Sequence, residues 1–591
     1  MKAFHFLLWP LLLYIGVAYF SLSKPLTLDE ANPIAINADA IIHDGWKALS
    51  QPDPSNPNQN RYEISHPILY DYVLALHFRL FGGDTVAARL IGVSFFFITL
   101  LLIFVLSQQL FPGRTGQLIG VFATLLYAMN PFIVQHSLLL TSDTSLLPVT
   151  LLIFVCVFLH FGSRPSWKST VSLSLSFAFC LWAKEVTPFF LLIGMFLYVW
   201  HSQNFKSALI VTSKVGLFGV LLFGLTWILY CNATGLPPLI FVKFSLLDKA
   251  LSPEFNQEHR SLNAMIYKFS FVIRWLTPAF FCLLIMALLR RVTLLWRFPK
   301  KGAPTDFLWI FLILFGAITN FHMYANPRYQ FPIYGMGVIL IGEFLFHSHS
   351  KSNRQNWFMI LPLGIIVGIL LALIPYEPLH ELILLRQTSQ FTGQFEPHLA
   401  YILMRIGLDV FIFSLLPLGT FFIFQKVMRI SFSHASRWIP ALVSVFIATS
   451  VSLNIKQTQP FTTAISWSIQ SYGERGFWDT LEFLKKNIGN SVPVIRKDLA
   501  YYLFRKTTNS DLNDGPDTKR DWIDNGLFRT DFPSPHQEKV VSSLLNPKIK
   551  YIVLDIWSNP YQVRTLISGH FDLVKIYGNF KIFQKKPSYA Q

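Results

Sequence analysis

Asp29 and Glu30 are adjacent carboxylates, six residues past the first apolar run of the chain, Phe4–Ser23. Beside a bilayer, two neighbouring acids are costly unless they are hydrated, paired or used. A carboxylate at a membrane surface can act as a general base. A third acid, Asp143, stands in "LLLTSDTSLLP" at the head of a later apolar run. His66, Lys184 and Arg328 occupy comparable boundaries in "HPILYDY", "LWAKEVTP" and "NPRYQFP". Cationic groups in such places can receive negative charge, a phosphate above all. Each residue also has a plainer reading. Ser142 or Asp143 is a helix N-cap candidate. Lys184 suits a snorkelling anchor or an ion pair with Glu185, and Arg328 suits an interfacial anchor.

These residues need a scaffold, and the composition says which kind. Of 591 residues, 52% are hydrophobic and only 14% are charged, with a mean hydropathy of +0.44. Soluble domains carry about 25% charged residues. Apolar runs recur along most of the length without the alternation of a β-barrel, so the expected fold is a polytopic all-α membrane protein. Thirteen spans are expected, from Phe4–Ser23 to Trp438–Leu453. Among them are Gln117–Val134 as one span and Val171–Trp182 with Pro188–Trp200 as a close pair. The first run has a weak charged start and ends in "YFSLSKP", a poor cleavage site, so it reads as a retained span. The net charge of +17 is dispersed over loops, which argues against nucleic acid. Cys156, Cys180, Cys231 and Cys282 lie in or beside apolar segments without metal-type spacing and are expected to be packed thiols.

Loop charge sets the orientation. "LRRVTLLWRFPKKGA", "HSHSKSNRQN" and "QKVMRISFSHASRW" hold ten Lys and Arg and no acid. They are expected in the cytoplasm, which puts the N-terminus there as well. Residues 24–85 then form the first extracytoplasmic loop. Within it, "NPIAINADAIIHDGWKAL" and "HPILYDYVLALHFRLFGG" have helical apolar spacing, the second with Tyr70, Leu74 and Phe78 on one stripe. Both suit helices lying in the interface, with Trp46, Tyr70 and Tyr72 at the lipid headgroups. "QPDPSNPNQNRYEIS" between them reads as loop. Residues 1–455 form the membrane domain. Residues 456–591, with 19 Lys and Arg against 13 Asp and Glu, read as a small extracytoplasmic α/β domain. Its expected parts are a helix in "GFWDTLEFLKKN", strands in "VPVIRK", "YIVLDIW" and "LVKIYGNFKIFQK", and a loop in "NSDLNDGPDTKRDWIDNG".

The layout resembles the GT-C membrane glycosyltransferases, most of all the protein O-mannosyltransferase and aminoarabinose-transferase group of family 39 type. The resemblance rests on "LDEA", "HPILYDYVLALHFRLFG…AARLIG", "LLLTSDTSLLP" and "LWAKEVTP", with "NPRYQFPIYG" as a weaker match, over about residues 1–345. It departs where the group often has a second proline after its His or Lys; here the sequence is "HPI". The resemblance implies Asp29 as general base, with Glu30 and Asp143 as further acids of the catalytic site. His66, Lys184 and Arg328 would contact the donor phosphate, whereas Tyr70, Arg79 and Arg89 are read as simply orienting the helices. It implies inverting transfer of a monosaccharide from a polyprenyl-phosphate donor to a lipid, glycan or protein acceptor at the outer face of the plasma membrane. Neither His43–Asp44 nor His347 with His349 makes a ligand set, so no metal site or cofactor is read, and a divalent cation is left open. Two other readings compete: a lipid-linked-substrate transporter or flippase, which calls for charges buried inside spans, and a non-catalytic scaffold for the tail domain.

Overall fold

The computed structural model describes residues 7–240 except 27–29, 54–55, 61–63, 65 and 162–165; it also describes 277–297, 303–322, 331–347, 357–374, most of 404–427, and 438–458. In the tail it describes 476–489, 491–495, 499, 502–503, 523–524, 548–554, 570–577 and 580–587. Asp29 and Arg328 lie outside the described residues.

The chain is a helical membrane protein with a small C-terminal sheet. The first half runs through α1 (Leu8–Ala18), α2 (Ile36–Asp44), α3 (Leu69–Phe81), α4 (Thr85–Leu110), α5 (Arg114–Met129) and α6 (Pro131–Ser137). It continues through α7 (Leu146–Phe161), α8 (Trp167–Ala183), α9 (Thr187–Ser202) and α10 (Phe205–Thr234). Then come α11 (Pro278–Arg297), α12 (Pro304–His322), α13 (Phe331–His347), α14 (Trp357–Ala372), α15 (Leu416–Val427) and α16 (Trp438–Thr458). Among the described residues, α4, α10 and α16 are each long and apolar enough to cross a membrane alone. The other apolar helices are shorter, so the count of thirteen stays an expectation. α7 is buried on most of its surface, whereas α10 exposes Leu217, Phe218, Leu221 and Leu225, a side suited to lipid.

Two helix breaks shape the site end of this bundle. The segment expected as one span at Gln117–Val134 is two helices, α5 and α6, meeting at 74°. Asn130 and Pro131 cause the break. Pro131 lacks the N–H that would continue α5, and the Asn130 side chain accepts hydrogen bonds from the Phe132 and Ile133 amides to start α6. The second break, between α8 and α9, is the one expected near Pro188. It leaves Lys184 and Glu185 outside both helices, with Lys184 in extended backbone.

The α3–α4 corner is written in "FGGD". Gly82 ends α3 at φ +87°, and the Asp84 carboxylate caps α4 by accepting the Ala87 amide at 2.7 Å. α3 buries Tyr70, Leu74 and Phe78, the stripe the spacing picks out. Tyr70 faces the protein interior: it is 4% exposed and its ring lies near Phe95. Trp46 is half-exposed, and Tyr72 donates to its carbonyl at 2.5 Å. α2 turns polar Asn37 and Asp39 inward with Ala38 and Ala40, so it is not a simple surface helix. The expected loop after it contains a short antiparallel pair, β1 (Pro52–Asp53) and β2 (Asn56–Asn60).

Burial pushes the Asp71 carboxyl on α3 up to about 7, while the Asn37 hydrogen bond pulls the other way. A carboxyl raised in the folded state stabilises the fold fully below its unfolded value of 3.8, and that contribution is lost as pH rises to about 7. Asp71→Asn is expected to raise the melting temperature over wild type at pH 8 and by less at pH 5. Equal shifts at the two pH values would count against the buried carboxyl.

In the tail, β3 (Val492–Ile495), β4 (Ile523–Asp524), β5 (Ile549–Leu554), β6 (Phe571–Tyr577) and β7 (Phe580–Lys585) form one sheet in the order β4-β3-β5-β7-β6. β3 runs parallel to β4 and β5, and β7 runs antiparallel to β5 and β6. The stretch "LVKIYGNFKIFQK" is thus a β6–β7 hairpin, and the expected loop at Asn509–Gly526 contributes β4. The amphipathic helix α17 (Phe477–Asn487) buries Phe477, Leu481 and Leu484. All four cysteines are free; Cys180 and Cys231 are buried, but Cys282 is exposed on α11, contrary to the packed thiol expected.

Candidate functional site

The segments carrying the candidate residues converge on one end of the bundle. The segment after α1 carries Glu30, the turn between α6 and α7 carries Asp143, His66 precedes α3, and the α8–α9 break carries Lys184 and Glu185. Two linked polar networks hold them there.

The first is built on Arg89, in the second turn of α4 and fully buried. A guanidinium has five N–H donors, and here every one is used. Its Nε donates to the Lys24 carbonyl at 2.9 Å. Nη1 donates to Glu30 Oε1 at 3.0 Å and to the Leu138 carbonyl at 2.9 Å. Nη2 donates to the Pro25 carbonyl at 2.6 Å and, more weakly, to Glu30 Oε2 at 3.5 Å. Glu30 Oε1 also accepts the Leu140 amide at 2.9 Å. One buried ion pair thus joins the segments on either side of residues 27–29 to the loop that leads to Asp143. Glu30, a candidate catalytic acid, is engaged in this pairing.

Gly92, one turn along α4, makes the approach of that loop feasible. A Cβ there would stand 2.2 Å from the Ser137 carbonyl oxygen, so backbone would have to move. Tyr14 of α1 closes the same corner: it is fully buried, stacks on Phe96 at 3.6 Å and hydrogen-bonds Ser137 Oγ at 2.8 Å. Breaking a buried pair by removing one partner costs about 3–5 kcal/mol. Arg89→Lys, which keeps the charge but not the five-donor fork, is expected to lower the melting temperature of the purified protein by several degrees. Unfolding of this variant at the wild-type temperature would show that the fork geometry adds nothing.

The second network is a chain of four side chains. The Lys184 ammonium lies 3.1 Å from Asp143 Oδ1 and 3.0 Å from His66 Nε2. His66 Nδ1 lies 3.0 Å from Glu185 Oε1 and 3.2 Å from Oε2. An ammonium can only donate, so His66 Nε2 accepts from Lys184 and the Nδ1–H is directed at Glu185. Two consecutive residues therefore grip the two sides of one imidazole. Burial pushes the Glu185 carboxyl up, but the neighbouring His66 and the Lys184 charge outweigh it and hold the carboxyl below the usual carboxylate range. Asp143, Lys184 and Glu185 are buried, whereas His66 keeps about a third of its side chain exposed. This is a desolvated row of acid, ammonium, imidazole and acid, with the imidazole on its open side.

Of the six candidates, Asp143, Lys184 and His66 form one chain, and Glu30 is held on the loop that carries Asp143. Glu185 was weighed only as a partner for Lys184, yet its bonds go to His66. Arg89 was read as a helix-orienting residue, and it is the centre of the first network. Its signal was present: an arginine inside the apolar α4, in "AARLIG", needs a partner, and an acid near the first span was the available one. Among the described residues, no group of three His, Cys, Asp or Glu side chains could hold a metal ion.

Residues 65–230 match the family described as dolichyl-phosphate-mannose-protein mannosyltransferase. No curated protein matches the chain. Two crystal structures of ArnT from Cupriavidus metallidurans are similar to it from end to end. The one bound to undecaprenyl phosphate is 13% identical, with 99% of this chain and 98% of that chain covered and a TM-score of 0.57. The apo form is 12% identical, with both chains fully covered and a TM-score of 0.58. The chain therefore has the GT-C fold of these membrane proteins, and the segment matching the mannosyltransferase family contains His66, Asp143, Lys184 and Glu185.

Proposed function

We propose that this protein is an integral-membrane glycosyltransferase that moves a monosaccharide from a polyprenyl-phosphate carrier to a lipid, glycan or protein hydroxyl. The observation that carries the reading is the buried Asp143–Lys184–His66–Glu185 chain, on the end of the bundle where the segment bearing Asp29 is anchored. Asp29 takes the proton of the acceptor hydroxyl as the hydroxyl oxygen attacks the anomeric carbon. The bond from that carbon to the phosphate oxygen breaks, and its electron pair leaves with the phosphate. Attack opposite the leaving group inverts the anomeric centre. The developing charge on the polyprenyl phosphate meets the Lys184 ammonium and a His66 that takes up a proton or releases Lys184 to donate from Nε2, with Arg328 as a further contact. Asp143 and Glu185 hold Lys184 and His66 in place for that encounter.

The positive loops support an N-terminus in the cytoplasm and a site on the outer face of the plasma membrane, with the tail domain on the same face. The carrier's hydrocarbon stays in the bilayer and reaches the site sideways between helices. The matched family's name and the undecaprenyl phosphate bound to ArnT support a polyprenyl-phosphate carrier here.

The test is transfer by the purified protein in lipid nanodiscs. It would be supplied with radiolabelled polyprenyl-phosphate hexoses and pentoses and a membrane-lipid extract as acceptor. Release of free polyprenyl phosphate with label moved to a new product is the expected result. Intact donor after prolonged incubation with every sugar tried, with neither transfer nor hydrolysis, would overturn the reading.

A further inference from the structure

Tyr502 belongs to the C-terminal domain, yet its hydroxyl lies in the transmembrane domain's site end. It accepts the Leu26 amide at 2.8 Å and lies 2.9 Å from Thr85 Oγ1. Tyr502 Oη and the hydroxyl of Thr85, the first residue of α4, thus share a hydrogen bond in which either oxygen can donate. Leu26 is fully buried and Tyr502 nearly so. The ring is set by its own domain: its centroid is 5.5 Å from that of Phe477 and 5.2 Å from that of Trp478, and Phe477 in turn meets Phe580 of β7 at 6.1 Å. The position of the hydroxyl thus follows the position of the sheet.

Next to that bond, Arg89 holds the carbonyls of Lys24 and Pro25. Three successive backbone groups, Lys24 O, Pro25 O and Leu26 N, are each fixed by a side chain from a distant part of the chain. Asp29 is three residues further on.

We propose that the C-terminal domain is a working part of the transfer site, and that Tyr502 is a positioning residue that fixes the Leu26 backbone against the start of α4, beside the Arg89–Glu30 pair. The proposal rests on the transferase reading for its catalytic half, and its structural half stands on the two hydrogen bonds alone. Tyr502→Phe keeps the ring and its packing and removes only the hydroxyl. Thr85→Val removes the hydroxyl's other partner.

The experiment pairs amide hydrogen exchange over residues 24–31 with steady-state transfer, using the full-length protein in nanodiscs. In Tyr502→Phe the Leu26 amide is expected to exchange at least about tenfold faster, while α7 and α8 exchange as in wild type. kcat is expected to fall about five- to tenfold with the donor KM within about twofold, in keeping with one lost hydrogen bond. The double variant with Thr85→Val is expected to lose no more than the worse single, since both cut the same link. Unchanged exchange at Leu26 overturns the proposal whatever the activity. Faster exchange with an unchanged kcat overturns the positioning role. Absence of transfer by wild type would remove the transferase reading, and Leu26 exchange would still decide the clamp.

Discussion

Asp29→Asn is expected to reduce transfer by about 10²- to 10⁴-fold, the usual contribution of a positioned general base. The loss should appear in kcat, with donor KM little changed, because the proposed base would act on the acceptor proton and not on the carrier. Asparagine has nearly the shape of aspartate, so the anchoring through Lys24, Pro25, Leu26 and Glu30 should persist and thermal unfolding should match wild type. A pH–rate profile adds a second reading: the wild-type acid limb should vanish from the residual activity. Equal transfer by wild type and Asp29→Asn would remove Asp29 as the base and leave the transferase assignment to be carried by the phosphate contacts.

The second large effect concerns Lys184. Removing a donor aimed at a developing anion typically costs about 10²–10³ in kcat. In this protein the same change also strands Asp143, a buried acid 3.1 Å away. Lys184→Met is therefore expected to lose both transfer and several degrees of melting temperature. The double replacement Asp143→Asn with Lys184→Met separates the two. Without either charge, the fold should recover most of its stability, while transfer should stay lost. Recovery of transfer in the double variant would mean that Lys184 serves only to neutralise Asp143. Lys184→Arg is a weaker perturbation: it keeps the charge but must refit a fork against His66, so partial activity is expected.

Much of the architecture was legible from hydropathy and punctuation. The α4 boundaries, the Tyr70–Leu74–Phe78 stripe of α3, the α8–α9 break before Pro188 and the amphipathic α17 all follow from local pattern. The α5–α6 break was missed although Asn130 and Pro131 announce it, because averaged hydropathy over a long apolar run conceals a turn of the chain. The β6–β7 hairpin was missed for a related reason: one apolar stretch was read without weighting Gly578 and Asn579 between its halves. The candidate site was readable as residue types at membrane boundaries. Its pairings were not. Glu30 chooses Arg89, 59 residues on, and His66 chooses Glu185, 119 residues on. Such choices are made by packing at the end of the bundle, and no spacing rule reaches that far.

The five bonds of Arg89 also bear on how the protein is made. Its partners are Lys24, Pro25 and Glu30, which leave the ribosome before it, and Leu138, which follows it by 49 residues. While α4 is being inserted, the guanidinium thus lacks part of its final coordination, and a bare charge cannot enter hydrocarbon cheaply. Its place in the second turn of α4 lets it wait in water at the membrane rim until α5 and α6 arrive. Glu30 can accompany it there as an early counter-charge, with the Leu138 carbonyl and the Leu140 amide closing the set last. During biosynthesis, then, the acid beside Asp29 would serve as an escort, holding a counter-charge beside the cation until the rest of the bundle can take it in.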